Sequence, residues 1–209
     1  MTQSLVADIG GTNTRVALAK GAGIDRSSIR RFANADHSGL GEVLTRYLAD
    51  AGNPAVEGAC VAVAGPVDRG VARMTNLDWT IDRAGVAAAT GAARVAVLND
   101  LEAQGHGLDV LDPAFLRPVI ARPATDRAYA ARLVIGVGTG FNAAPVHPVP
   151  GGRLVAPSEC GHVTLPVRTE RDLALMRYVE TAHGFAGVED VLSGRGLERL
   201  CAFHAKAAG

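Results

Sequence analysis

The fold is decided by the stretch Leu5-Val-Ala-Asp-Ile-Gly-Gly-Thr-Asn-Thr-Arg-Val-Ala-Leu18. Residues of strand character lie on both sides of Gly10-Gly11. Two adjacent glycines permit backbone angles that other residues resist, so the pattern predicts a hairpin. The exposed amides at such a tip form a concave row that suits a phosphate, and Thr12 and Asn13 add side-chain donors. Asp8, at the end of the first strand, could hold a hydrated magnesium ion.

The composition is that of a globular chain without a charge bias. The 209 residues include 21 basic and 21 acidic side chains, which gives no reason to expect nucleic acid or a membrane surface as a partner. No apolar run approaches the roughly 20 residues of a membrane span, and no signal-peptide pattern precedes the first strand. The three widely spaced cysteines form neither a disulfide framework nor a zinc pattern. A reducing, cytoplasmic location is therefore expected.

Strand-like and helix-like segments alternate along the chain, which predicts an α/β fold with a mixed sheet. Beyond the hairpin, strands are predicted at 59–64, 94–98 and 132–137, and helices at 40–51, 82–91, 170–181 and 195–205. Residues 113–126 contain three prolines and little periodicity, which is typical of a crossover between two lobes.

Asn99-Asp100 follows the predicted strand 94–98, at the edge where open α/β sheets usually bind ligands. One interpretation makes Asp100 a cap for the helix that begins there. The other makes it a general base that accepts the proton of a hydroxyl group attacking a terminal phosphate. The residues alone do not decide between the two.

A second glycine cluster, Gly136-Val-Gly-Thr-Gly140, overlaps the end of the predicted strand 132–137 and continues beyond it. Glycines after a strand often mark only a turn. The chain has no Gly-x-x-x-x-Gly-Lys-Ser/Thr loop and no dinucleotide fingerprint, which disfavours both of those nucleotide folds. Two glycine turns after two separate strands suit a phosphate that is held from both sides.

Two further polar clusters are candidates for ligand binding. In Ser158-Glu-Cys-Gly-His162, the glycine and the preceding Pro157 favour a loop over a helical metal pair. A carboxylate and an imidazole on such a loop can accept from and donate to neighbouring hydroxyls of a polyhydroxylated ligand. Glu189, taken alone, is typical of a capping or solvated helix residue.

Asp8-x-Gly-Gly-Thr-Asn-x-Arg15 and the later clusters together resemble the bacterial glucokinases, sugar kinases of the actin-like ATPase superfamily. The resemblance runs from Leu5 to about Leu200. It implies a ribonuclease H-like α/β fold with two lobes, residues 1–110 forming the small lobe and 111–209 the beginning of the large one. The family continues through most of a second lobe, so the second lobe of this chain is expected to be incomplete and its own activity doubtful.

The resemblance also implies roles for individual residues. Asp100 is the implied catalytic base. The implied glucose contacts are Asn76, Asn99, Asp100, Glu159, His162 and Glu189. The implied phosphate contacts are Asp8, Gly10, Gly11, Thr12, Asn13, Gly138, Thr139 and Gly140. Asp8 would also contact magnesium through water. Phe141-Asn142 departs from the small or aliphatic residues that the family usually has after the second glycine turn.

The implied activity is transfer of a phosphoryl group from ATP, with Mg²⁺, to D-glucose, giving glucose 6-phosphate for glycolysis. Glucose and ATP are the implied partners, and a homodimer would cover the apolar stripe expected on the last helix. A non-catalytic sugar-binding remnant is the alternative from another class. A third hypothesis is an actin-like ATPase whose turnover does not respond to glucose.

Overall fold

The computed structural model of the chain describes residues 3–74, 77–120 and 130–208. The chain divides into two compact units, Met1–Ala103 (unit 1) and Gln104–Gly209 (unit 2). The division lies slightly before the boundary predicted after residue 110. The assignment of the two halves to a small and a large kinase lobe stays a prediction.

Unit 1 contains a six-stranded mixed sheet, a small three-stranded sheet and two complete helices. Its strands are β1 (Gln3–Ile9), β2 (Asn13–Lys20), β3 (Gly23–Ile24), β4 (Arg30–Ala33), β5 (Gly58–Val63), β6 (Val67–Asp68), β7 (Val71–Arg73), β8 (Thr80–Asp82) and β9 (Arg94–Asn99). Its helices are α1 (Leu40–Asp50) and α2 (Arg83–Thr90), and α3 (Asp100–Gly107) crosses the division between the units. The large sheet has the order β3-β2-β1-β5-β9, with β4 also paired to β2.

The predicted hairpin is confirmed. β1 and β2 pair antiparallel, with Leu5 opposite Leu18 and Ile9 opposite Thr14. The expectation that the turn depends on unusual glycine angles is wrong at Gly10, whose backbone is outside the left-handed region. A Cβ there would lie at an ordinary 3.5 Å from the Asn13 carbonyl. The turn is instead held by hydrogen bonds described below.

Helix α1 packs on the sheet because its apolar residues recur at helical spacing. Leu40, Val43, Leu44, Tyr47 and Leu48 are all buried. The Tyr47 hydroxyl, at the buried end of this stripe, donates to the Ser28 carbonyl at 3.0 Å. The predicted helix 82–91 is also confirmed: the Asp82 carboxylate accepts the Gly85 N–H at 2.7 Å, and Gly91 ends the helix with φ 70°.

Unit 2 contains a three-stranded antiparallel sheet and two α-helices among its described residues. The strands are β10 (Arg132–Val137), β11 (Phe141–Val149) and β12 (Gly152–Val155), in that order, and the helices are α4 (Glu170–His183) and α5 (Gly194–Ala208). Short 3-10 turns lie at Leu108–Val110, Pro113–Phe115, Cys160–His162 and Val188–Asp190. The strand and helix predictions for this half are confirmed.

Ion pairs join the segment after α3 to the sheet of unit 2. Asp109 pairs with Arg132 of β10 and Arg153 of β12, and Arg153 also donates to the carbonyl of His106. These contacts tie residues within 104–110 to unit 2, although the family resemblance implied that 104–110 belong to the first lobe. They give a physical reason why the division precedes residue 110.

Unit 2 leaves apolar surface exposed. Leu133, Ile135 and Val137 alternate along β10, and each side chain is more than half exposed. The apolar stripe predicted on the last helix is only partly covered. Leu200 packs against a small core around Val179, whereas Leu197 is 62% exposed.

Within the described residues, every helix is too short or too polar to cross a membrane.

Candidate functional site

The carboxyl ends of three parallel strands bring the first group of candidate residues to one sheet edge. Ile9 of β1 lies beside Val63 of β5, which lies beside Asn99 of β9. Gly10 follows Ile9, and Asp100 follows Asn99. The first glycine turn and the candidate base therefore begin at the same edge of the sheet. Ligands bind at this edge in open α/β sheets.

The first glycine turn is fixed from inside and from β4. The Gly10 N–H donates to the Asn13 carbonyl at 2.9 Å. Asn34, directly after β4 and 1% exposed, donates its side-chain amide to the Gly10 carbonyl at 2.8 Å and its backbone N–H to the Thr12 carbonyl at 2.9 Å. Its side-chain oxygen accepts from the Thr14 hydroxyl at 2.8 Å.

The sequence around Asn34 carries no signal of this role. Asn34 lies 24 positions from Gly10, in a stretch that matches no recognised motif. Only the pairing of β4 with β2 brings it under the turn, with Ala33 opposite Asn13.

Asp8 lies one position before the last residue of β1, with a side chain that is 54% exposed. Arg15, opposite it on β2, approaches to 3.1 Å. The arginine of the Asp-x-Gly-Gly-Thr-Asn-x-Arg motif therefore pairs with its aspartate. The neighbouring turn residues Gly11 and Thr12 are exposed, as a phosphate contact requires.

Asn99 and Asp100 differ in how they contact the start of α3. The Asn99 side-chain oxygen accepts the N–H of Leu101 at 3.0 Å, two residues ahead, which is the geometry of a helix cap. Its amide donates to the Gly65 carbonyl at 2.9 Å. Capping of α3 is thus served by Asn99, and Asp100 contributes only a 2.8 Å contact to the adjacent Leu101 N–H.

Asp100 has a perturbed carboxyl group. Partial burial raises its pKa above the ordinary value, and the negative charge of Asp8 raises the pKa further. Hydrogen bonds from Leu101 and Asn99 oppose the rise. A carboxylate with a raised pKa is a stronger base than an exposed aspartate, which suits proton abstraction better than capping.

In unit 2 the second glycine turn joins β10 to β11. The Gly138 N–H donates to the Gly140 carbonyl at 2.9 Å, and the Gly138 carbonyl accepts the N–H of Gly194 at 2.8 Å. The first residue of α5 therefore holds the turn. Gly138 and Thr139 are exposed.

Glu189 lies between the second glycine turn and the His162 loop. Its Oε1 is 3.5 Å from His162 Nε2, and its Oε2 accepts from the Phe141 N–H at 3.4 Å. A Cβ on Gly140 would lie only 2.7 Å from Oε2, so glycine at this position leaves room for the carboxylate. The Glu189 carboxylate therefore contacts both the second glycine turn and the His162 loop, with a side chain that is 26% exposed.

The segment that carries Glu159 and His162 is a loop with a 3-10 turn, as Pro157 and Gly161 predict. Glu159 precedes the turn and is exposed, and its carbonyl accepts the N–H of His162 at 3.0 Å. Gly161 passes so close to the Phe141 carbonyl that a Cβ would lie 2.0 Å from the oxygen. Asn76, the remaining sugar-contact prediction, lies outside the described residues.

Sequence comparison identifies the family. The profile described as Glucokinase matches residues 5–209. The chain belongs to the glucokinase family. Among curated glucokinases, that of Pseudomonas paraeruginosa is 38% identical over 200 residues and that of Brucella abortus biovar 1 is 33% identical over 196 residues. Both alignments cover 94% of this glucokinase-family chain.

Solved structures agree with the family assignment. A glucokinase from an Antarctic psychrotroph superposes with a TM-score of 0.84 at 30% identity, covering all of this chain and 66% of that one. The Balamuthia mandrillaris glucokinase in complex with glucose gives 0.68 at 22% identity, covering 99% and 63%, and shows the fold alone. The α/β sugar-kinase fold expected from the sequence is thus confirmed. This glucokinase-family chain spans 57–58% of the length of the two curated relatives named above.

Proposed function

We propose that this chain carries the glucose- and phosphate-binding residues of an ATP-dependent glucokinase, which converts D-glucose to glucose 6-phosphate. The observation that carries the proposal is the position of Glu189, whose carboxylate lies against both Gly140 of a glycine turn and His162 of a polar loop. This position supports the proposal, because a proposed sugar contact is then adjacent to a proposed phosphate contact within unit 2. Membership of the glucokinase family supports the same function.

In unit 1, Asp100 is proposed to orient the attacking sugar hydroxyl and to accept its proton as the new bond to phosphorus forms. Its raised pKa supports this role, because proton transfer is more favourable to a more basic carboxylate. Asn99 would position Asp100 by capping α3 and would donate to a neighbouring hydroxyl. The turn Gly10–Asn13 would hold phosphate oxygens through backbone and side-chain donors, among them the Thr12 hydroxyl.

In unit 2, Glu159, His162 and Glu189 are proposed to bind sugar hydroxyls. Their carboxylate and imidazole groups can accept and donate to neighbouring hydroxyls of one ring. Gly138, Thr139 and Gly140 would bind phosphate oxygens in the same manner as the first turn. Asn76 is proposed as a secondary sugar contact on the basis of family resemblance.

Mg²⁺ is proposed as the ion that accompanies ATP. The described residues contain no group of three or more His, Cys, Asp or Glu side chains arranged as a metal cage. The exposed Asp8 carboxylate and the neighbouring charge of Asp100 fit an ion that keeps most of its water and contacts phosphate, as Mg²⁺ prefers. Asp8 would hold it through water. The ion would supply neutralisation of the phosphate charge.

Sugar-dependent release of ADP, measured in a coupled assay, tests the proposal. Glucose-stimulated ADP release supports a kinase. Glucose binding by calorimetry without ADP release would instead support the alternative, a sugar-binding remnant without catalytic activity. ATP turnover unaffected by glucose would support an ATPase. The DNA downstream of the Gly209 codon would show whether the reading frame continues.

The remaining proposals concern the cellular setting. A glucokinase would act in the cytoplasm at the entry to glycolysis, with glucose and ATP as its ligands. A homodimer is proposed because α5 leaves Leu197 largely exposed, and a second copy could cover such a residue. Sedimentation velocity tests this last point.

A further inference from the structure

Asn142 holds the loop that carries the proposed sugar contacts. Its side-chain amide donates to the Ser158 carbonyl. Its side-chain oxygen accepts the N–H of Cys160 at 3.2 Å and lies 3.6 Å from the Cys160 thiol. One side chain on β11 thus contacts the residues on both sides of Glu159.

Within the same segment, the Cys160 N–H also lies 3.3 Å from the Ser158 hydroxyl oxygen, and further constraints lie later in the loop. The Gly161 backbone packs against the Phe141 carbonyl, and the His162 N–H donates to the Glu159 carbonyl at 3.0 Å. These contacts fix the second half of the loop. The segment from Ser158 to Cys160, which includes the exposed Glu159 side chain, is tied to the sheet through Asn142.

We infer that Asn142 is a positioning residue for sugar binding: it holds the Ser158–Cys160 backbone so that Glu159 and His162 face the same hydroxylated ligand. The inference rests on the proposed function for the identity of the ligand. The positioning itself rests on the hydrogen bonds of Asn142. Loss of these bonds would let the loop sample other shapes, and each binding event would then have to reorder it.

The test uses the 209-residue chain with Cys60→Ser and Cys201→Ser, which leaves Cys160 as the single thiol. In this background, Asn142→Ala is expected to accelerate amide exchange at Cys160 and disulfide-reagent labelling of its thiol. Glucose affinity measured by calorimetry should fall roughly 5- to 30-fold. Asn142→Asp keeps the acceptor for Cys160 but loses the donor for Ser158, so it should retain most of the Cys160 amide protection.

Thr169→Ala is the matched control. Thr169 caps α4 in the same unit through the Asp172 N–H at 3.1 Å and lies outside the loop in sequence. This variant should lower the melting temperature without changing Cys160 exchange or glucose affinity.

Three results distinguish the positioning role from the proposed function. Unchanged exchange and labelling in Asn142→Ala would overturn the inference, whatever the affinity. Faster exchange with unchanged glucose affinity would also overturn it, because the loop would not limit binding. Failure of the parent chain to bind glucose would overturn the proposed function, whereas the exchange data would still decide whether Asn142 holds the loop.

Discussion

The side-chain amide of Asn34 donates to the Gly10 carbonyl at 2.8 Å and joins the first glycine turn to a residue 24 positions away. The same side chain accepts from the buried Thr14 hydroxyl. The turn is therefore held by a residue outside its motif, and the turn residues Gly11 and Thr12 are exposed.

Asn34→Ala should lower the free energy of unfolding by about 1–3 kcal/mol, because it leaves the Gly10 carbonyl and the Thr14 hydroxyl without their partner. Trp79, the single tryptophan, is buried in unit 1 and reports its unfolding by fluorescence. Thr45→Ala, an exposed α1 control, should change stability by no more than about 0.5 kcal/mol. Equal effects of the two substitutions would show that Asn34 does not support the turn.

Asp100→Asn should lower glucose phosphorylation by roughly 10²–10⁴-fold, in any length of this protein that has the activity, while glucose still binds. The wild-type rate should fall as pH decreases through the raised pKa of Asp100, because protonation removes the base. The acidic limb should therefore lie above the ordinary aspartate pKa. A variant with near wild-type turnover would show that Asp100 is structural.

Asp100→Asn should increase the stability of the fold, although it lowers the rate of phosphorylation. The folded state raises the Asp100 pKa, so the ionised carboxylate opposes folding at neutral pH. Asp100→Asn should raise the melting temperature of unit 1 near pH 7. The gain should shrink as pH falls through the raised pKa, and it should vanish below the ordinary value, where the folded and the unfolded states are both protonated. A variant less stable than wild type at pH 7 would contradict this sign.

Glu159→Ala and His162→Ala should each weaken glucose binding by about 1–3 kcal/mol, because each leaves a sugar hydroxyl without its partner. An epimer with one inverted hydroxyl should be disfavoured for the same reason. Calorimetry measures both effects, with the exposed Glu198→Ala on α5 as the control. Unchanged affinity in both variants would remove this loop from the sugar site.

Gly140→Ala should weaken glucose binding roughly 5- to 30-fold, because the new Cβ would lie 2.7 Å from Glu189 Oε2 and force the carboxylate to move. Gly138→Ala provides the comparison, since a Cβ at that position meets nothing within 4 Å. Calorimetry without nucleotide separates the sugar effect from any change in phosphate binding. Equal affinities in the two variants would show that the position of Glu189 does not matter.

Glu42 provides a pH-dependent test of the start of α1. Hydrogen bonds from the Ser38 N–H and hydroxyl, and from His37, lower its pKa to about 2. Because the folded-state pKa is lowered, this stabilisation is present above the ordinary value of 4.5 and is lost as pH falls towards 2. Glu42→Gln should be less stable than wild type at pH 7, and the difference should disappear over that window.

Glu170→Gln, an exposed first-turn variant on α4, is the control for Glu42 in thermal melts at several pH values. A difference between wild type and Glu42→Gln that persists unchanged at pH 2 would contradict the assignment of the stabilisation to the carboxylate.

The sequence predicted those features whose signals are local. The hairpin around Gly10-Gly11, the spacing of Leu40 to Leu48, and the Asp82 and Gly91 caps each lie within a few residues, and the structure confirms them. A local pattern determines hydrogen bonding and burial over one or two turns. Such elements can therefore be recognised without knowledge of their neighbours.

The sequence could not predict contacts that depend on strand pairing. Asn34 reaches Gly10 only because β4 pairs with β2, and Asn142 reaches Ser158 only because its loop folds back over β11. Glu189 lacked a local signal for its place beside Gly140 and His162. In each case the partner lies at least 16 positions away, so the contact forms only in the folded chain and leaves no local pattern in the sequence.

The shared carboxylate of Glu189 has a thermodynamic consequence for the proposed kinase. If a bound sugar moves Oε1 away from His162, Oε2 of the same carboxylate also moves relative to Gly140 and the Phe141 amide. Two ligands that act on one side chain are coupled, and the coupling is reciprocal: the factor by which glucose changes phosphate affinity equals the factor by which phosphate changes glucose affinity. Recognition of the acceptor and of the donor would then share one conformational equilibrium, centred on a single glutamate.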